Sequence, residues 1–567
     1  MTEQSWVLRR RVPDAFLRAQ SQLDPIVARI LYARHLDTSE KVDAFMATDG
    51  TLGDPMSLPD MGAAIERIAR ALANQEQVAV YGDFDVDGVT STVLMTTMLR
   101  ALGARVQAFI PDRFEDGYGL NVDAIERLRS GGVTLCVTVD CGVRSVTEVA
   151  HARTLGMDML ITDHHSVPDT LPEAVAVIDP RREDDRYPFD ELAGVGVAYQ
   201  VAAALVAALG AGTSAELSAL LEAQLDLVGL GTIADVVPLV GENRLLARWG
   251  LNRMRSAPRS GIAELARVSG IELATVDSGD VAFRMAPRLN AAGRIDNARI
   301  AYQLLSATSS QQAAPAAQTL HEHNRERQTL LEEQLLEASA GLEADSPPPI
   351  IFVQGENYHE GIVGLVASRL REQFYRPALV LKREEHTARG SARSIEGFHI
   401  TRALESCADL LLRYGGHEQA AGFTLETDKI EAFQQGMLEY AVEHLSPDLL
   451  VARQLVDAIV TLEDVTERTP GAIAALGPFG KGNPEPLLAS LGVTVLDARR
   501  MGSEGKHLRL NVAFNQVPRS CVAFRQGEAA DWLVPGQSVD LLFRPSIDRW
   551  QGRESLQLVV EAVRPHR

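Results

Sequence analysis

The chain has 567 residues, 46% hydrophobic and 23% charged, which is ordinary for globular protein and too long for one core, so two to four domains are expected. No run of about 18 uncharged apolar residues occurs and the N-terminus MTEQSWVLRRRVPDAF has no signal-peptide pattern; with four cysteines and no CxxC spacing, neither a membrane span, a zinc site nor a disulfide scaffold is expected, and a cytoplasmic location follows as the default. The net charge of −21 taken alone argues against nucleic-acid binding, but a groove can be locally basic, as the Arg and Lys residues of 369–393 suggest, and an acidic total suits a protein that gathers carboxylates around divalent metal.

Residues 1–75 read as helical, with polar breaks around 49–54. From Gln77 the pattern changes. The short apolar run 78–81 ends in Gly82-Asp83, and a helical stretch follows at about 90–102. Strand-like runs come next at 106–110, 133–139, 157–161 and 175–178, most of them separated by helix-compatible segments. Such alternation gives βαβ units and a parallel sheet. The Ala-rich stretch 197–209 reads as a buried helix. Residues 217–254 and 309–342 read as mostly helical, the second long and charged, and Pro347-Pro348-Pro349 marks a boundary. A second α/β unit begins at Ile350, with strands 350–353 and 378–381, helices 362–374 and 401–412, and a Gly-rich turn at Gly415-Gly416. The last segment alternates in short runs, 456–462, 493–496, 508–512, 522–524, 539–543 and 556–560, which fits a small β-barrel such as an OB-fold, a platform for single-stranded nucleic acid. The expected fold class is multidomain α/β: a helical segment 1–75, a parallel-sheet domain 76–308, a connecting long helix and linker 309–349, a smaller α/β domain 350–448, and a barrel 452–567.

The strongest local signal is Asp83, Asp85 and Asp87 at alternate positions after a buried strand, in Gly82-Asp83-Phe84-Asp85-Val86-Asp87-Gly88. A lone DxDxD is as often a solvated acidic turn. A calcium loop would need Glu at the twelfth position, and that position is Leu94. Asp140 follows the run 133–139, and Asp163-His164-His165 follows 157–161. In a parallel sheet these strand ends lie on one edge, where ligands bind. Buried carboxylates gathered there repel one another unless cations join them. Oxygen ligands with some imidazole suit Mg²⁺ or Mn²⁺. Asp235, at the end of the apolar stretch 227–234, is on its own an ordinary helix-end carboxylate.

In their order along the chain, Asp83–Gly88, Asp140, Asp163-His164-His165 and Asp235 resemble the four motifs of the DHH phosphoesterases. Downstream, His359-Glu360-Gly361-Ile362-Val363-Gly364, Gly390-Ser391-Ala392-Arg393-Ser394 and Gly415-Gly416-His417 with Ala420-Ala421-Gly422 resemble the DHHA1 substrate-binding domain. Ile110-Pro111-Asp112-Arg113, Gly117-Tyr118-Gly119-Leu120, Leu192-Ala193-Gly194-Val195-Gly196, Asn290-Ala291-Ala292-Gly293-Arg294, Pro478-Phe479-Gly480 and Gly482-Asn483-Pro484-Glu485-Pro486 fit the RecJ-type branch. The match runs from about Val78 to the C-terminus.

The resemblance implies a single-strand-specific 5′-to-3′ exodeoxyribonuclease with two divalent cations, Mn²⁺ or Mg²⁺, releasing 5′-mononucleotides. It implies Asp83, Asp85, Asp140, His164 and Asp235 as metal ligands, with Asp87 and His165 either ligating or supporting, and Asp163 orienting a histidine. Arg113, Ser391 and Arg393 would bind the 5′-phosphate, with Gly390 letting the backbone approach closely. Tyr118 would stack on a base, or be core. Asn290, Arg294 and His417 would contact backbone phosphates, unless His417 only caps a helix and Arg393 only forms a surface ion pair. Repair and recombination partners, single-strand-binding protein and a RecQ-type helicase, follow from the same resemblance. Asp179 stands where many relatives have Asn. Two rival readings are a DHH phosphodiesterase acting on oligoribonucleotides, cyclic dinucleotides or pyrophosphate, and a silent DNA-binding scaffold.

Overall fold

The computed structural model describes residues 4–112, 119–210, 214–343, 346–502, 504–550 and 553–566. These form two units, one of residues 49–446 with 478–483, the other of residues 1–48, 447–477 and 484–567. The N-terminal stretch, expected to be helical, begins with a strand, β1 (Gln4–Leu8), before its helices Asp14–Ala19, Pro25–Ala33 and Ser39–Met46.

In the first unit, β2 (Gln77–Tyr81), β3 (Arg105–Phe109), β4 (Val133–Thr138), β5 (Asp158–Thr162) and β6 (Ala176–Ile178) make a parallel sheet in the order β3-β2-β4-β5-β6. The strands read as continuous apolar runs because both faces are covered. Val78 and Val80 of β2 point into one core with the helix Val86–Ala101, while Ala79 and Tyr81 point into a second core on the opposite face. Chain order reverses between β2 and β4. That is the switch point, where an open α/β sheet leaves a crevice at its carboxyl edge.

A 30-residue helix, Ser310–Ser339, leads to the second sheet of this unit. There β7 (Ile351–Gly355), β8 (Ala378–Arg383), β9 (Thr387–Arg393), β10 (Arg413–Gly416) and β11 (Ala420–Glu426) run in the order β10-β11-β9-β8-β7. The apolar window Ala215–Ala234 has the length and hydropathy of a membrane span, yet 61% of it is buried inside the protein, as in a core helix.

In the second unit, β1 pairs in parallel with β12 (Ala452–Val456). Next come β13 (Ala458–Ile459), β14 (Leu488–Met501), β15 (His507–Phe514), β16 (Val517–Ala523), β17 (Ser538–Trp550) and β18 (Arg553–Pro565). The ring β14-β15-β16-β18-β17 closes through β14–β17 pairing into a five-stranded barrel. Asp457, 3% exposed, receives both Nε and Nη2 of Arg34, at 2.8 and 3.1 Å, tying the N-terminal helices to the barrel entrance.

Candidate metal centre

The DxDxD segment folds as it does because its residues cap a helix. Asp85 is the N-cap of Val86–Ala101, its Oδ1 accepting the Gly88 N–H at 3.1 Å. Asp83 precedes it at the end of β2, with Oδ1 accepting the Phe84 N–H at 2.7 Å. Gly88 leaves room for this turn: a Cβ there would lie 2.6 Å from the Asp83 backbone.

Asp87, one residue into the helix, turns inward. Its Oδ2 and Oδ1 accept the N–H groups of Gly194 and Val195 at 2.7 and 2.9 Å. These amides open the helix Gly194–Leu209, so the carboxylate sits on a positive helix end. The sequence singled out the segment 192–196 without indicating this partner. Asp140, just past β4, takes a left-handed φ of 62°, uncommon for a residue with a Cβ. Asp235 caps the C-terminal end of the helix Leu225–Ala234, and Val236 after it also has positive φ, 61°.

His164 gathers these groups. Its Nε2 lies 3.0 Å from Asp140 Oδ1, 3.7 Å from Asp235 Oδ2 and 3.8 Å from Asp87 Oδ2. Three sets of donor atoms each lie within 4.8 Å of one another: Asp83, Asp85 and Asp140; Asp87, His164 and Asp235; Asp140, His164 and His165. Residues up to 152 positions apart in sequence, Asp83 and Asp235, thus converge on one crevice, as strand ends in a parallel sheet must. Asp163 accepts the Val143 N–H at 2.9 Å, the His164 N–H at 2.7 Å and the His165 Nδ1 at 2.7 Å.

The protonation pattern follows from burial and crowding. Burial first, then the charges of Asp87 and Asp85, holds Asp140 and Asp235 well above the usual carboxylate range. Burial, then Asp85, pushes Asp87 up to about 7 against its two backbone donors. Burial depresses His164 to about 3, leaving a neutral imidazole. His165 goes the other way: burial would lower it, but the bond to Asp163 raises it to about 9. Asp163 falls to about 2, its burial outweighed by His165. Asp140, Asp235 and Asp87 are thus destabilised as anions together, the condition that a divalent cation relieves.

Family models match in chain order: the DHH family N-terminal domain at residues 77–232, the DHHA1 domain at 348–443 and the RecJ OB domain at 456–562. The single-stranded-DNA-specific exonuclease RecJ of Escherichia coli (strain K12) is 34% identical, the alignment covering 98% of this chain and 99% of the relative. The chain belongs to the RecJ family. RecJ of Bacillus subtilis (strain 168) is 37% identical over 98% of this chain and 70% of its own length. The crystal structure of RecJ in complex with Mn²⁺ from Thermus thermophilus superposes with a TM-score of 0.85 at 30% identity, covering all of this chain and 80% of that one.

The remaining expected site residues of this RecJ-family chain fall in three places. Ser391 and Arg393, two apart on β9 and so on one face, meet through Arg393 Nη1 and Ser391 Oγ at 2.9 Å. Both adjoin Gly364, in the first turn of the helix Val363–Phe374, where a Cβ would come within 3.1 Å of each. Gly390 answers a different need from close ligand approach: a Cβ there would lie 2.3 Å from the Phe423 ring that covers it across the strands. Asn290 Oδ1 accepts the Val86 N–H at 3.2 Å, bracing the start of the Asp85 helix, and Arg294 Nη1 donates to the Gly361 carbonyl at 3.1 Å. The His417 N–H bonds the Ala420 carbonyl at 2.8 Å in the β10–β11 turn, and the His417 carbonyl accepts the Thr401 hydroxyl at 2.8 Å. Its imidazole has a lowered pKa, from partial burial and then from Arg144, His165 and Arg181. Arg113 and Tyr118 lie outside the described residues.

Proposed function

We propose that this chain is a metal-dependent exonuclease that degrades single-stranded DNA in the 5′-to-3′ direction to 5′-mononucleotides, in DNA repair and recombination. The observation that carries this reading is His164 Nε2 within 3.8 Å of three carboxylates at the sheet's switch point, in a chain 34–37% identical to RecJ exonucleases. Asp83, Asp85, Asp140, His164 and Asp235 are the proposed ligands of two divalent ions, Mn²⁺ or Mg²⁺, with Asp87 and His165 adjoining. The donors fit such ions. Asp140 Oδ1 and the His164 ring nitrogens are buried and make no well-formed hydrogen bond among the described residues, a state that costs about 1–3 kcal/mol per group unless another partner takes them.

Divalent ions supply an acidified water and offset the charge of the phosphodiester. The chain's own residues hold the arrangement. The helix end at Gly194 fixes Asp87, and Asp163 keeps a proton on His165 and orients its ring. Hydrolysis adds a water oxygen to phosphorus and releases the 3′-oxygen. Ser391 and Arg393, beside a helix N-terminus, offer donors to a 5′-phosphate, with Arg113 as a third. Tyr118 is the proposed stacking residue, and Asn290, Arg294 and His417 the proposed backbone contacts. A closed OB barrel favours a long strand over a cyclic dinucleotide. Single-strand-binding protein and a RecQ-type helicase are the proposed partners, in the cytoplasm.

The test is Mn²⁺-dependent nucleotide release from 5′-phosphorylated single-stranded DNA. Asp83→Ala and His164→Ala lose release while DNA binding survives; full activity in either rejects the metal assignment. A strand labelled at its 5′ end loses label first. Preference for dinucleotides would move the substrate to short oligonucleotides, and binding without release would make the chain a scaffold. Arg393→Ala lowers use of 5′-phosphorylated ends more than of 5′-hydroxyl ends; equal losses argue against the pocket.

A further inference from the structure

Residues 478–483 pack with the first unit, although the chain before Gly477 and after Pro484 belongs to the second. This short excursion is firmly held. The Leu239 N–H donates to the Lys481 carbonyl at 2.7 Å, and the Ser278 hydroxyl bonds the Phe479 backbone at 2.7 and 3.0 Å. Gly480 and Asn483 exchange backbone bonds of 2.9 and 3.2 Å, and Asn483 Nδ2 donates to the Pro478 carbonyl at 2.9 Å. Gly482, at φ 75°, passes so close to Pro238 that a Cβ would come within 3.1 Å. The backbone of Lys481 is therefore pinned on both sides, and its side chain is exposed.

The segment it is pinned to, 236–240, directly follows Asp235. Among the described residues the Lys481 ammonium forms no ion pair within 4.0 Å. A cation carried on a backbone pinned to the segment that follows Asp235, in a chain of net charge −21, has two uses. It can balance the carboxylates, or it can meet the polyanion that enters when cations already balance them. Its exposed position and the absence of an ion pair within 4.0 Å among the described residues favour the second, and an ammonium is a point charge suited to phosphate.

We propose that Lys481 binds a backbone phosphate of the DNA strand at the rim of the metal centre, a substrate-positioning contact delivered by the 478–483 loop. This rests on the exonuclease reading above. The experiment compares wild type, Lys481→Ala, Lys481→Glu and Lys481→Arg on a 5′-phosphorylated oligothymidylate with Mn²⁺ across a series of NaCl concentrations. Lys481→Ala is expected to raise KM several-fold with kcat within about twofold, and to make the slope of log kcat/KM against log salt shallower by roughly 0.7, the value for one single-strand phosphate contact. Lys481→Arg restores the slope and Lys481→Glu worsens KM further, while Tm and the Mn²⁺ midpoint stay at wild-type values. An unchanged KM and slope in Lys481→Ala overturns the proposal. So does a shifted Mn²⁺ midpoint with an unchanged slope, which would make Lys481 a counter-charge to Asp235. If wild type releases no nucleotide, the exonuclease reading falls first; if wild type is active and Lys481→Ala matches it, only the role of Lys481 falls.

Discussion

Asp140 carries two costs at once, a left-handed backbone and a carboxylate buried among other carboxylates. Asn tolerates that backbone and removes the charge. In the presence of chelator, Asp140→Asn should therefore melt higher than wild type, and added Mn²⁺ should stabilise it less; a lower Tm in chelator would contradict the repulsion. Asp179 gives a cleaner pH signature. It is fully buried, Oδ1 accepts the Arg181 N–H at 2.8 Å, Oδ2 has no partner among the described residues, and burial pushes its carboxyl up to about 7. Between the ordinary carboxylate range near pH 4 and pH 7 the folded chain holds a proton that the unfolded chain has lost, so this residue's contribution falls as pH rises through that window. Asp179→Asn should gain little in Tm over wild type at pH 4 and most at pH 8; a constant difference would reject the buried acid. Asp83, Asp140 and His164 were legible because each ends an apolar run. The grip of Gly194 and Val195 on Asp87, and the positive φ of Asp140 and Val236, were not, since tertiary packing alone creates them.

At the scale of elements, the metal crevice depends on helices brought unusually close. Gly229 of Leu225–Ala234 faces Gly250 of Gly241–Ser256, and a Cβ on Gly250 would lie 2.5 Å from the Gly229 Cα and the Leu225 carbonyl. Both obstacles are backbone and cannot step aside. Gly250→Ala should destabilise by roughly 1–3 kcal/mol and, because the displaced helix ends at Asp235, should also raise the Mn²⁺ concentration needed for activity. Gly62→Ala, with open space around it, should be neutral or mildly stabilising, and thermal melts of the pair decide the point. The parallel strands were legible because burial on both faces leaves an uninterrupted apolar run, and the barrel because turns punctuate its strands. β1 was not: five residues, QSWVL, carry too little pattern to separate a strand from a helix, and its partner lies at the far end of the chain.

For the molecule as a whole, the two units predict separable responses. The candidate cation ligands all belong to the 49–446 unit, so in calorimetry Mn²⁺ should raise the transition of that unit, by about 2.7 kcal/mol at a hundredfold excess over Kd, and leave the barrel transition in place. A uniform shift would mean that the units unfold as one.

The pairing of β1 with β12 has a consequence for biosynthesis. The strand β1 leaves the ribosome about 440 residues before its partner, a wait of roughly 20–90 s at elongation rates of about 5–20 residues per second. Throughout that interval Trp6 and the apolar side of Pro25–Ala33 have no barrel to cover them. Residues 4–33 of a nascent chain therefore stay open to chaperones and proteases until residues 452–565 have emerged, and closure of the barrel is what withdraws them.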